Sequence, residues 1–465
     1  MLFSSIPFLY YFLPLFLICY FAVPKKFKNA VILAFSLFFY AWGEPKYVFL
    51  MIATIVVNYI LGLLIEKCQG TGKDKLFVIL SLVFSLGALG CFKYADFFIE
   101  NFSLVTGLPV KVLNIALPIG ISFYTFQILS YTIDVYRNDV RAQRSIVALG
   151  AYVTLFPQLI AGPIVRYSDV EKELRERHHG FDMAYAGIRR FITGLSKKVI
   201  IANTLGELCE SFHASDEKSV VFYWVFALCY SLQIYFDFSG YSDMAIGLGK
   251  ILGFNFMENF NYPFISKSIT EFWRRWHISL GSWFRDYVYI PMGGNRVGKT
   301  RLFINIFTIW MLTGLWHGAE WNFVIWGLYF GVLLVLEKFI YGNLLTKAKG
   351  FNHIYVVFLV AVSFVIFSAG SFSEAMSLVG GMFGFNNVSL LSADTVYYMK
   401  SYALVMIFAV LASTPVLKNI YGYLQKGRLK KVTDIFEVPV LLALLLIVTA
   451  YLADGSFNPF LYFRF

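Results

Sequence analysis

Two of the chain's six histidines stand where an imidazole can do chemistry. His317 closes the apolar run 303–316, which holds no charged residue. An ionisable side chain at the depth such a run reaches in a membrane is costly, so it is a functional candidate by default. Desolvation disfavours the imidazolium and keeps the ring neutral, able to accept a proton. A placed general base is worth roughly 10²–10⁴-fold in rate. Two readings of His317 therefore stand: a general base, or a histidine hydrogen-bonded between helices. Gly314 and Gly318 flank it and allow backbone or substrate to approach. Trp316, Trp321 and Asn322 carry N–H groups of the kind that can stabilise an oxyanion.

The second histidine, His277, lies among arginines in EFWRRWHISLGSWFRDY, residues 271–287. Traced as one helix at about 100° per residue, Trp273, Trp276, Leu280, Trp283, Phe284 and Tyr287 share a broad side. Arg274, His277, Gly281 and Arg285 share a neighbouring one. One reading is an interfacial anchor with its rings in lipid and its arginines reaching lipid phosphates. The other is a docking surface for an anionic donor on Arg274, Arg275 and Arg285, because a planar guanidinium pairs well with phosphate. Asp237, Ser239, Tyr241 and Asp243 form a polar break in an apolar region. They read as a satisfied break between helices or as the lining of a tunnel.

The elements that must position these residues are membrane helices. The 465 residues are 58% hydrophobic and only 14% charged, against about 25% charged in a soluble domain. So much apolar surface requires lipid as its solvent. Against the ~20 residues a spanning helix needs, the apolar runs number about ten to twelve, with short or interrupted ones re-entrant. The net charge of +11 sits in short loops between these runs, which reads as positive-inside topology and not as nucleic-acid binding. That bias predicts both termini outside, in a membrane crossed many times. The five cysteines show no metal-ligand spacing, and no metal is expected. The stretch 166–182 reads as a cytoplasmic amphipathic helix ending in His178 and His179, both solvated surface histidines.

These residues carry a resemblance. FWRRWHISLGSWFRDYVYIPMGGNR followed by TGLWHGAEWNFVIWG is similar to the membrane-bound O-acyltransferase (MBOAT) family. The bacterial alginate O-acetyltransferase-like branch is the nearest in pattern, and FPQLIAGPIVRYSD and IYFDFSGYSDMAIGLGKILGF support the match. The resemblance implies one all-α polytopic domain, residues 1–465, in a bacterial cell membrane. It would hold about eleven membrane helices with re-entrant and interfacial ones, enclosing a tunnel. It implies His317 as the catalytic base and His277 as the second catalytic position, for donor placement or proton relay. Asp237, Ser239, Trp316 and Asn322 would line the tunnel.

The tail 454–465, ending FLYFRF, reads as an aromatic belt anchor on the outer side. The resemblance suggests an acyl relay through Tyr462. A phenol with a pKa near ~10 needs a base before it can attack. Residues 454–462, extended, reach roughly 30 Å, enough to fold back toward His317.

The function expected is passage of an acyl group, acetyl for preference, from a cytoplasmic thioester to an exported polysaccharide. The donor expected is acetyl-CoA, with no bound cofactor. A separate extracellular acyltransferase is the expected partner. The alternative within the family is D-alanyl transfer to teichoic acid from an acyl carrier protein. A non-enzymatic glycan transporter or scaffold is the alternative of another class.

Overall fold

A chain surrounded by lipid must satisfy each backbone N–H and C=O within itself, and helices do this at no cost in partners. The computed structural model is accordingly all-helical; it describes residues 1–385, 387–427, 429–455, 457–459 and 461. The one β-type pairing among the described residues is an isolated bridge between Ser219 and Ser389. Six helices there are long and apolar enough to cross a membrane: Val48–Lys67, Lys73–Thr106, Val220–Ile251, Trp321–Lys347, Phe351–Ser368 and Leu429–Ala453. A seventh is gained if Ala393–Ser401 and Ala403–Ala412, bent by 59°, form one broken span. By length and composition the count thus falls below the expected eleven. Several apolar runs are divided into shorter helices, as in Ile146–Thr154 and Phe156–Leu159.

The chain forms two compact units. The first comprises 1–191 with 244–257. Its aromatic centre is Phe156, whose ring lies 5.0–6.1 Å from those of Phe3, Phe8, Phe12, Phe16 and Phe39. A buried polar cluster ties three of its helices. Asn58 donates to Ser85 at 3.2 Å and accepts from Ser81 at 2.6 Å, and Ser81 meets Thr132 at 3.0 Å. Among apolar helices such contacts fix which faces meet, since lipid gives apolar faces no preference. His179, expected as a solvated surface residue, is exposed at the ring edge but places Nε2 3.0 Å from the Tyr20 hydroxyl.

The second unit comprises 192–243 with 258–465 and holds both candidate histidines. The helix Lys299–His317 and the helix from Trp321 form a tight hairpin. A Cβ on Gly314 would stand 2.3 Å from the Phe323 carbonyl oxygen, and one on Gly327 2.2 Å from that of Trp310. Only glycine lets the two backbones approach so closely, and this approach fixes the end of the helix where His317 sits. The stretch 271–287 is not the single helix expected. It is two short helices, Ile269–Arg275 and Ile278–Phe284, followed by a π-helical turn, Arg285–Tyr289. The break is at His277, whose φ of 46° is left-handed and ends the helical run. Nor do its rings lie in lipid: Trp276, Leu280, Trp283, Phe284 and Tyr287 are buried in the protein.

Candidate active site

The backbone turn that ends one short helix at His277 also drives its ring inward. The side chain is buried, 1% exposed. Asn259 holds it. The Asn259 side-chain amide donates to Ser242 Oγ at 3.1 Å, so its oxygen is the acceptor for the residues opposite. That oxygen takes the Ser279 N–H at 3.2 Å, the Ser279 hydroxyl at 2.8 Å and His277 Nδ1 at 3.2 Å. The network assigns the His277 proton to Nδ1 and makes Nε2 the basic nitrogen. Burial, and next the charge His317 would carry, hold the His277 pKa well below the ordinary histidine value. The ring is neutral in ordinary buffers.

His317, 4% exposed, is the last residue of its helix. Its ring is boxed by Trp316, Trp326 and Phe367, with centroids 5.0, 5.1 and 5.3 Å away and all nearly perpendicular. Trp316 also lies 5.8 Å from the His277 ring, so one indole neighbours both imidazoles. Beside His317 is a space of about 10 Å³, lined by Asp237, Trp276, Trp326, Phe364, Phe367 and Leu461, among others. This is room for about one water. At His317, where a tunnel is expected, this small space is what the described residues show, with Phe364, Phe367 and Leu461 in its wall. The Trp326 indole N–H is buried without a hydrogen-bond acceptor among the described residues.

The other expected positions distribute unevenly. Asp237 lines the gap with His317. Trp316 neighbours both imidazoles and is not in the gap's lining. Asn322 is buried and donates to the Ala369 carbonyl at 2.7 Å. Trp321 is 55% exposed. Ser239 is buried outside the gap's lining, and Asp243 pairs with Lys197 at 2.7 Å. Of the three arginines, Arg275 is engaged by Glu271 at 2.9 Å and Arg285 by Asp286 at 2.6 Å. Arg274 instead lines an open cleft of about 980 Å³ that it shares with Lys267, Lys338, Lys349 and His353. Tyr462 lies outside the described residues.

Four partners of the site escape a reading by periodicity. Asn259 and Ser279 look like ordinary loop polars in sequence. Lys198 has a visible signal, a cation within the apolar run 191–205, which marks a buried ion pair. Glu337, buried, accepts the Ile269 N–H at 2.6 Å and the Thr270 N–H at 2.9 Å. It thereby caps the short helix that leads to His277.

A family model for membrane-bound O-acyltransferases matches residues 137–379. The chain is 39% identical to a probable alginate O-acetylase of Azotobacter vinelandii, with all of both chains covered. It is 35% identical to a peptidoglycan O-acetyltransferase of Helicobacter pylori, over 84% of this chain and 81% of that protein. A teichoic acid D-alanyltransferase of Bacillus subtilis is 33% identical over 48% of this chain and 59% of its own.

Proposed function

Given that the chain belongs to the membrane-bound O-acyltransferase family, and is a multi-pass membrane O-acyltransferase, we propose that it carries acetyl groups across the cell membrane to an exported polysaccharide. The donor in this reading is acetyl-CoA, presented from the cytoplasm, and both termini lie outside. The full-length likeness to an alginate O-acetylase supports acetyl over D-alanyl, since the D-alanyltransferase likeness spans only half the chain.

The observation that carries the reading is His317, a buried imidazole against a small gap at the end of the charge-free run 303–316. The acceptor hydroxyl, from Tyr462 or from a glycan presented outside, gives its proton to His317. Its oxygen attacks the thioester carbonyl and forms a tetrahedral intermediate. The C–S bond then breaks, and the proton passes from His317 to the departing thiolate. The Trp326 N–H, at the wall of the gap, is suited to the oxyanion. His277, oriented by Asn259 and favoured in its neutral form by burial, supports proton movement or donor placement beside Trp316. The cleft lined by Arg274, Lys267, Lys338 and Lys349 suits the phosphates of the donor. A separate extracellular transferase completes delivery when Tyr462 is the first acceptor.

The test is mass spectrometry of surface glycan from wild-type, His317→Ala and Tyr462→Phe cells at matched membrane abundance. Loss of acetyl ester in the first variant supports the base, and loss in the second supports the relay. Full acetylation with His317→Ala refutes the mechanism. Loss of D-alanyl ester instead identifies the other donor.

A further inference from the structure

Lys198 and Asp237 form an ion pair at 2.6 Å with side chains 4% and 3% exposed. Two features bring them together. A Cβ on Gly240, one turn beyond Asp237, would stand 2.7 Å from the Gly194 carbonyl oxygen, so the two helices touch there backbone to backbone. The π-helical turn Lys197–Ala202 then directs Lys198 inward, where it is buried. A buried pair is tolerated when its remaining hydrogen-bonding capacity is met. Here part of that capacity is met by main chain near the C-terminus. Lys198 Nζ donates to the Pro459 carbonyl, and Asp237 Oδ2 accepts the Leu461 N–H at 3.1 Å. Two further tethers precede them. Asn203 donates to the Asn458 side-chain oxygen at 3.1 Å. The Phe457 ring covers Gly206, where an added Cβ would stand 2.6 Å from it.

We propose that Lys198 and Asp237 are positioning residues that form a peptide-docking site for the chain's own tail, 457–461, and set its register at His317. The pair reads one carbonyl and one N–H, two residues apart, and so recognises main chain and not side chain. A slip of one residue, about 3.8 Å along the chain, breaks both bonds. In this register the buried Leu461 side chain lines the gap beside His317. Tyr462 is next in sequence, and the functional consequence rests on the reading of His317 as the transfer base.

The test uses the full chain in detergent and two readouts. The first is hydrogen–deuterium exchange in peptides covering 457–461. The second is acyl transfer with kcat and thioester KM resolved. The variants are Leu461→Pro, which deletes the N–H that Asp237 accepts, Leu461→Ala, which keeps it, and the double change Lys198→Met with Asp237→Leu. The double change removes both charges together and leaves none unpaired. We expect tail exchange at least 10-fold faster, and kcat at least 10-fold lower at unchanged KM, in Leu461→Pro and the double variant. Leu461→Ala keeps wild-type protection of the tail. Wild-type protection in the double variant overturns the dock. A freed tail with wild-type kcat overturns the positioning role. Failure of the acyl-transfer reading shows separately, as activity retained in His317→Ala with tail exchange unaltered.

Discussion

His277 and His317 face one indole: the Trp316 ring centroid lies 5.8 Å from the first imidazole and 5.0 Å from the second. The indole is thus an apolar neighbour shared by the two imidazoles. Trp316→Ala is expected to admit water, raising thioester hydrolysis while ester formation falls about 10-fold, through loss of the dry site. Free thiol release measured against ester formed, with acceptor omitted and then added, checks the ratio. Trp316→Phe should retain most transfer.

Asn259 offers His277 a neutral acceptor, and burial keeps that imidazole unprotonated. Asn259→Asp places a carboxylate on Nδ1 and favours the charged ring, so the His277 pKa rises. If the neutral ring is the working form, the acidic limb of the kcat/KM profile moves to higher pH, and activity below neutrality falls first. Asn259→Ala removes the acceptor without adding charge, and its profile should lose height with no such displacement. Both follow from pH–rate profiles on purified enzyme.

The hairpin that ends in His317 depends on two glycines. Gly314→Ala or Gly327→Ala would force a Cβ within 2.3 and 2.2 Å of carbonyl oxygens on the facing helix. The helices must separate, at about 1–3 kcal/mol for such overpacking, and the imidazole shifts with its helix. Activity should fall by more than 10-fold, since about 1.4 kcal/mol of lost transition-state stabilisation already corresponds to tenfold. Gly87→Ala and Gly90→Ala, where an added Cβ meets nothing within 4 Å, serve as controls and should leave activity and melting temperature unchanged.

Glu337 holds two amides and the Thr270 hydroxyl at the start of the helix before His277. Glu337→Leu leaves buried donors without an acceptor, at about 1–3 kcal/mol each. A lowered melting temperature in detergent is expected, measured by a thermal-shift assay. Glu337→Gln, which keeps one acceptor oxygen, should lose less.

The lipid setting followed from composition alone, and His317 stood out as a candidate because a polar group at the end of an apolar run is rare and expensive. The break at His277 was not legible. Helical periodicity runs through 271–287 without interruption, whereas the left-handed histidine is held by Asn259, which lies in another segment. For the same reason the ring face read as lipid-facing is buried: a face says that a partner exists, not which. The arginine patch showed charge but not its occupancy by Glu271 and Asp286. The return of the tail was within reach of chain length, whereas its anchor on Lys198 and Asp237 joins positions with no common pattern.

The gap of about 10 Å³ at His317 has a consequence beyond catalysis. A passage wide enough for a thioester arm, standing open from one side of a bilayer to the other, would conduct protons and ions and discharge the membrane potential. If the proposed transfer crosses the bilayer at His317, packing that leaves room there for about one water would limit ion leakage between turnovers.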